Sequence, residues 1–170
     1  MRVLHFADLH LGMENYGRMD PARGLHTRTL DFLRSFDFII ETAVSRQVDL
    51  VLFCGDAFRS REPSPTLQCL FAERISRLAR AQIPVLLLTG NHDLPPLPGR
   101  RSALEIYPIL DVPNIDVVTT PGLRKINTRS GPLQVACLPA GGHGAGLQGE
   151  EAEKNAARLV AEMARQTEND

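Results

Sequence analysis

The apolar run Ile83-Pro84-Val85-Leu86-Leu87-Leu88-Thr89 ends abruptly in Gly90-Asn91-His92-Asp93. A glycine followed by an amide, an imidazole and a carboxylate cannot prolong a buried strand. The chain must turn there, leaving three functional side chains at one strand end. Open α/β sheets keep their chemistry at that edge, outside the carboxyl ends of the strands. Two earlier apolar runs finish in the same way. Val3-Leu4-His5-Phe6-Ala7 leads into Asp8-Leu9-His10, and Asp49-Leu50-Val51-Leu52-Phe53-Cys54 leads into Gly55-Asp56. Leu50 to Cys54 lacks polar alternation, as expected of a parallel strand covered on both faces.

Between these runs the apolar spacing changes from strand-like to helical. Residues 8 to 20 form a loop closed by the turn signals Asp20-Pro21 and Gly24. From Thr27 to about Arg46, Leu30, Leu33, Phe36, Ile40, Ala43 and Val44 keep a helical period, with Thr27 as the expected N-cap. Ser64-Pro65 opens a second helix with Leu67, Phe71, Ile75 and Leu78 on one face, ending near Ala81. The proline-rich stretch Leu94 to Gly99 excludes regular structure. Ser102-Ala103-Leu104-Glu105 has capping-box spacing and predicts a short helix. Two more strands are expected at Ile115 to Val118 and Leu133 to Leu138, separated by a turn region. A last helix is expected over Glu150 to Arg165, after the five glycines of Pro139 to Gly149. The order β-α-β-α-β-(α)-β-β-α predicts a layered α/β sheet flanked by helices.

The chain is 170 residues long, which suits a single domain over residues 1 to 170. A net charge of −1 gives no general attraction to polyanions, so any nucleic-acid contact must come from a local patch. Cys54, Cys69 and Cys137 are odd in number and set among apolar neighbours, which predicts buried, reduced thiols in a cytoplasmic protein. No signal peptide or membrane-spanning run is apparent.

Carboxylates, imidazoles and an amide oxygen together suit borderline divalent metals such as manganese, iron or zinc. One carboxylate shared by two ions sets the two-metal spacing used for displacements at phosphorus. In this reading Asp8 and His10 hold one ion, Asp56 bridges, and Asn91 holds the second. His92 sits beside the metals as the catalytic residue, stabilising the transition state or protonating the leaving oxygen. Asp93 orients its neighbours from behind the ligands. Taken singly, Asp-x-His and Gly-Asp are common turn chemistry; their conjunction at three successive strand ends is what carries weight.

Asp8-Leu9-His10, Gly55-Asp56 and Gly90-Asn91-His92-Asp93 resemble the first three motifs of the calcineurin-like metallophosphoesterase superfamily. More narrowly, the stretch from Arg2 to Gly12, together with Phe53-Cys54-Gly55-Asp56-Ala57-Phe58, is similar to SbcD-type DNA exonuclease subunits. The resemblance covers roughly residues 1 to 140. It implies a metallophosphoesterase-like sheet and a manganese-dependent nuclease acting on double-stranded DNA ends and hairpins. It also implies a dimer working with an SbcC-type ATPase subunit. The family pattern continues with a further strand-end histidine and a Gly-His-x-His. Here the only histidine after His92 is His143, which has no partner two residues on and reads as a loop residue. The expectation is therefore the N-terminal part of the fold, truncated before its second half and without the capping domain.

Two alternatives stand beside the nuclease: a phosphatase or cyclic-nucleotide phosphodiesterase with the same metal core, and a catalytically incompetent fragment with a binding role. Arg59 and Arg61, and the pair Arg100-Arg101, are expected to rim the pocket, either as phosphate contacts or as solvated charges. His5 reads as structural and His26 as a surface residue. Phe58 and Tyr16 either cover the site or fill the core.

Overall fold

A computed structural model describes residues 1–95, 97, 99–141 and 149–167. The chain begins with strand β1 (Val3–Phe6) and passes through a small hairpin, β2 (Met19–Asp20) with β3 (Leu25–His26), into helix α1 (Thr27–Ser45). Strand β4 (Leu50–Phe53), helix α2 (Pro65–Arg80) and strand β5 (Val85–Leu88) follow. A 3-10 turn at Ala103–Glu105 runs into helix α3 (Ile106–Ile109), then β6 (Ile115–Val118), the hairpin β7 (Gly122–Thr128) and β8 (Gly131–Cys137), and helix α4 (Gly149–Thr167). The main sheet has four parallel strands in the order β1-β4-β5-β6. This is the layered α/β sheet flanked by helices that the order of elements predicts.

Strands added in one direction by crossovers of one hand place their helices on one face of the sheet. The alternation of side chains follows from that. Leu4, Phe6, Val51, Phe53, Val85, Leu87, Ile115 and Val117 share a core with Leu33, Phe36 and Ile40 of α1, Phe71, Ile75 and Leu78 of α2, and Leu104 and Tyr107. Phe71 is its hub, fully buried, with its ring 5.5 Å from Phe36, 5.6 Å from Phe53 and 5.4 Å from Phe58. Residues of opposite parity, Leu52, Leu86, Leu88 and Val118, meet Ile126, Val135 and Cys137 of the β7–β8 hairpin in a smaller cluster.

That hairpin covers the second face over β5 and β6 but not over β1. Val3 is accordingly 44% exposed, and His5 and Cys54 are exposed as well. The expectation of three buried thiols is corrected here. Cys137 is buried, whereas Cys54 lies on the uncovered part of the sheet and Cys69 is exposed on α2, at the recess it lines with Tyr107 and Leu110. Strand β7 is a second correction, because what reads as a turn region pairs with β8 along its whole length. The N-cap of α1 is His26 rather than Thr27: His26 Nδ1 accepts from the Arg28 N–H at 3.3 Å. His26 is buried, not on the surface, since its ring packs against Gly17, where a Cβ would come within 2.3 Å. Ser64 and Pro65 start α2 as the sequence predicts. Ser102 caps the 3-10 turn by accepting from the Leu104 N–H. His143 lies outside the described residues.

Asp49 ties three segments together. Its buried carboxylate accepts from the Arg2 N–H at 2.6 Å and from Ser130 Oγ at 2.8 Å, joining the starts of β1 and β4 to the β7–β8 turn. The Arg2 N–H, then the Ser130 hydroxyl, hold its pKa below the usual 3.8.

Two outcomes are expected. Phe71→Ala lowers the unfolding free energy by about 3–5 kcal/mol in urea titrations, because four aromatic neighbours cannot all collapse into the space. For Asp49, a folded pKa below the unfolded value gives stability that is complete above the unfolded pKa and lost as pH falls through the folded one. The urea midpoint of wild type therefore drops on acidification below about pH 4, and Asp49→Asn, already weaker at neutral pH, shows a shallower drop.

Candidate metal centre

The polar residues at the three strand ends are brought together by backbone hydrogen bonds that outlast the strands. Cys54 N–H donates to Phe6 O, Asp8 N–H to Gly55 O, His10 N–H to Asp56 O and Leu11 N–H to Ala57 O, all at 2.9–3.0 Å. Arg59 N–H then donates back to Leu11 O at 2.9 Å. The loops after β1 and β4 thus run side by side as a distorted continuation of the sheet. Asp8, His10 and Asp56 adopt positive φ of 59°, 43° and 60°. Such left-handed positions cost energy for non-glycine residues and collect at functional sites, where the surroundings enforce them.

Glycines bring in the third loop. A Cβ on Gly55 would lie 2.4 Å from Gly90 N, and one on Gly90 would lie 2.2 Å from Asp56 Oδ1. The two loops touch backbone to backbone, so neither position admits a side chain. Asp93, 4% exposed, locks the contact: its Oδ2 accepts from the N–H of Asp56 at 2.7 Å and of Gly90 at 2.9 Å, and its Oδ1 from Ala57 at 3.0 Å. Burial raises the Asp93 pKa above 3.8 while those three N–H groups pull it down.

His10, Asp56 and His92 each present a ligand atom within 4.8 Å of the others. His10 Nε2 is 3.8 Å from Asp56 Oδ2 and 3.5 Å from Asp8 Oδ1. Asp56 Oδ1 accepts from the His92 N–H at 2.9 Å, and the two imidazole rings meet edge to face at 4.9 Å. Asp8 is largely exposed at the mouth, and Asn91 occupies the same turn as His92 with its side chain exposed. The donor chemistry fits a cation: a half-buried imidazole aims Nε2 at two carboxylates, and its buried Nδ1 has no hydrogen-bond partner. A ligating histidine usually donates that second nitrogen to a carbonyl or carboxylate behind it, and His10 lacks this anchor.

Sequence reasoning did not find the role of the Arg59 carbonyl, which lies 2.9 Å from His92 Nδ1. A carbonyl only accepts, so Nδ1 is the donor in this contact and the Arg59 backbone fixes the orientation of the ring. No sequence signal marks such a contact, because any residue supplies a carbonyl. Phe58 fills the core at 3% exposed, and Tyr16 is fully exposed.

The model of the calcineurin-like phosphoesterases matches residues 1–158. The chain belongs to that family. Its curated relatives in the family include DNA double-strand break repair protein Mre11 of Methanosarcina mazei, 40% identical over 95 residues, or 55% of this chain and 14% of that protein. The protein of that name from Aeropyrum pernix is 41% identical over 96 residues, covering 55% of this chain and 21% of the relative. The SbcD component of the nuclease SbcCD of Escherichia coli K12 is 33% identical over 93 residues, with the same coverage of 55% and 21%. The matched part of the chain thus spans about a fifth or less of these relatives' length. Divalent metal ions are the cofactors the family implies.

Replacing Asp93 with Asn turns one of its oxygens into an N–H donor that faces another N–H. Asp93→Asn is expected to lower stability by about 1–3 kcal/mol, read as a shifted urea midpoint. An unchanged midpoint would show that the loops hold together without that carboxylate.

Proposed function

We propose that the chain carries the metal-binding part of a phosphodiesterase of the DNA-repair nuclease type, which cleaves double-stranded DNA near its ends. The observation that carries this reading is the juxtaposition of His10, Asp56 and His92 at the carboxyl ends of β1, β4 and β5. The names of the relatives, a double-strand break repair protein and a nuclease component, support DNA as the substrate. Asp8 and His10 are assigned to one ion, Asn91 to the second, with Asp56 shared. Manganese is the metal proposed on the mixed oxygen and nitrogen donor set. Such ions supply Lewis-acid stabilisation of charge at phosphorus.

The protein's own groups divide the remaining work. His92, held through Nδ1 by the Arg59 carbonyl and through its N–H by Asp56, points Nε2 toward the reacting phosphate, where its protonated form donates to the leaving oxygen. Asp93 fixes the spacing of the Asp56 and Gly90 loops without touching substrate. An SbcC-type ATPase is proposed as partner on the name of the Escherichia coli relative, which is one component of a larger nuclease. A homodimer is proposed through α2 and α3. There Ile106 and Leu110, 48% and 65% exposed, border an apolar recess of about 320 Å³ beside Phe71 and Tyr107. A cytoplasmic location is proposed with it; separately, no helix among the described residues is long and apolar enough to cross a membrane.

Cleavage of a labelled blunt duplex, with and without manganese, tests the assignment. Turnover is expected to require the metal, to vanish with a chelator, and to fall about 100-fold or more in His92→Ala. Hydrolysis of a small aryl phosphodiester without any duplex cleavage would favour the phosphatase or cyclic-nucleotide reading instead. With Asp8, His10, Asp56 and Asn91 as its assigned ligands, residues 1–170 alone are expected to bind manganese weakly and turn over slowly; two tight calorimetric sites would contradict this.

A further inference from the structure

The arginines of the described residues are not equivalent. Arg100 is paired with Glu62, Arg101 lies 4.0 Å from Glu105, Arg28 lies 3.5 Å from Asp31 and Arg23 lies 3.1 Å from Asp20. The guanidinium of Arg59 has no ion pair or hydrogen bond among the described residues, and the residue is exposed. Its backbone is nonetheless fixed on both sides. The Arg59 N–H donates to Leu11 O at 2.9 Å, and its carbonyl accepts from His92 Nδ1 at the same distance. Ala57 and Phe58, just before it, are buried, so the chain leaves the core at this residue with its side chain outward.

We infer that the Arg59 guanidinium is the phosphate clamp of this site. It holds a non-bridging oxygen of the phosphodiester seated over His10, Asp56 and His92. Three features lead there. An unpaired guanidinium keeps its full set of donors for a tetrahedral anion, which it contacts bidentately. Its backbone is already immobilised, so ordering the side chain on the ligand loses less conformational entropy than ordering a mobile loop. It is also rooted in the residue whose carbonyl orients His92, so clamp and proton donor share one rigid reference point. Arg61, two residues on and equally exposed, has no such anchor in the described hydrogen bonds and contributes only general attraction. The clamp rests on the nuclease reading for its macromolecular substrate, and on the unpaired guanidinium and the Arg59–His92 contact for the phosphate.

Two binding arms separate these dependencies, both on the full chain with manganese present. In the first, fluorescence anisotropy follows a labelled duplex across salt concentrations. In the second, calorimetry follows thymidine 5′-monophosphate as the smallest phosphate probe. Arg59→Ala is expected to weaken both ligands about 10-fold and to reduce the salt slope for the duplex by about 1. Arg59→Lys should restore the salt slope but only part of the monophosphate affinity, because a single ammonium lacks the fork. Arg34→Ala removes an equal charge from a helix position paired with Asp31, and is expected to change neither. Wild-type binding of the monophosphate but not of the duplex, with loss of the former in Arg59→Ala, would remove the duplex reading and leave the clamp. Equal monophosphate affinity in wild type and Arg59→Ala, an equal loss in Arg34→Ala, or no wild-type binding of either ligand would overturn the clamp.

Discussion

Between Asp8 and Arg59 the backbones of two loops keep exchanging hydrogen bonds after both their strands have ended. Everything at the metal centre depends on that continued pairing. Each bond contributes little net stability, since the unfolded chain makes comparable bonds with water. As a set they leave the two loops one relative register, and that register puts His10 and Asp56 on the same side. The positive φ values at Asp8, His10 and Asp56 show how the cost is met locally: the ladder and the core beneath it hold these residues in a conformation they would not choose alone.

The third loop joins by exclusion of side chains rather than by attraction. Gly55 and Gly90 let two backbones approach within a distance no Cβ permits, and the buried Asp93 carboxylate then satisfies the three N–H groups this contact would leave stranded. Asp93 is therefore structural in what it touches: it fixes the spacing of the loops that carry Asp56 and His92. Beneath it the aromatic cluster around Phe71 reaches the site through Phe58, two residues after Asp56, so core packing and ligand geometry are mechanically continuous.

The chain belongs to the calcineurin-like phosphoesterases, and the names of its relatives support the DNA substrate proposed for it. The family match over residues 1–158 includes Asp8, His10, Asp56, Asn91, His92 and Asp93. Three adjacent parallel strands, their crossovers and one packed face bring His10, Asp56 and His92 together.

The sequence by itself determined the parts that repeat at short range. Periodicity placed α1, α2 and the four parallel strands, and Ser64-Pro65 marked the start of α2, because cap and turn chemistry act within a few residues. It also picked out the polar strand ends, since functional side chains after an apolar run have no packing role. Tertiary structure decided the rest. Cys54 is exposed because coverage of a sheet face depends on where the β7–β8 hairpin lands, which local composition does not encode. His26 caps α1 because Gly17, nine residues away, leaves room for its ring. The hold of Arg59 on His92 runs through a main-chain carbonyl that every residue possesses, so only the folded path of the backbone could select it.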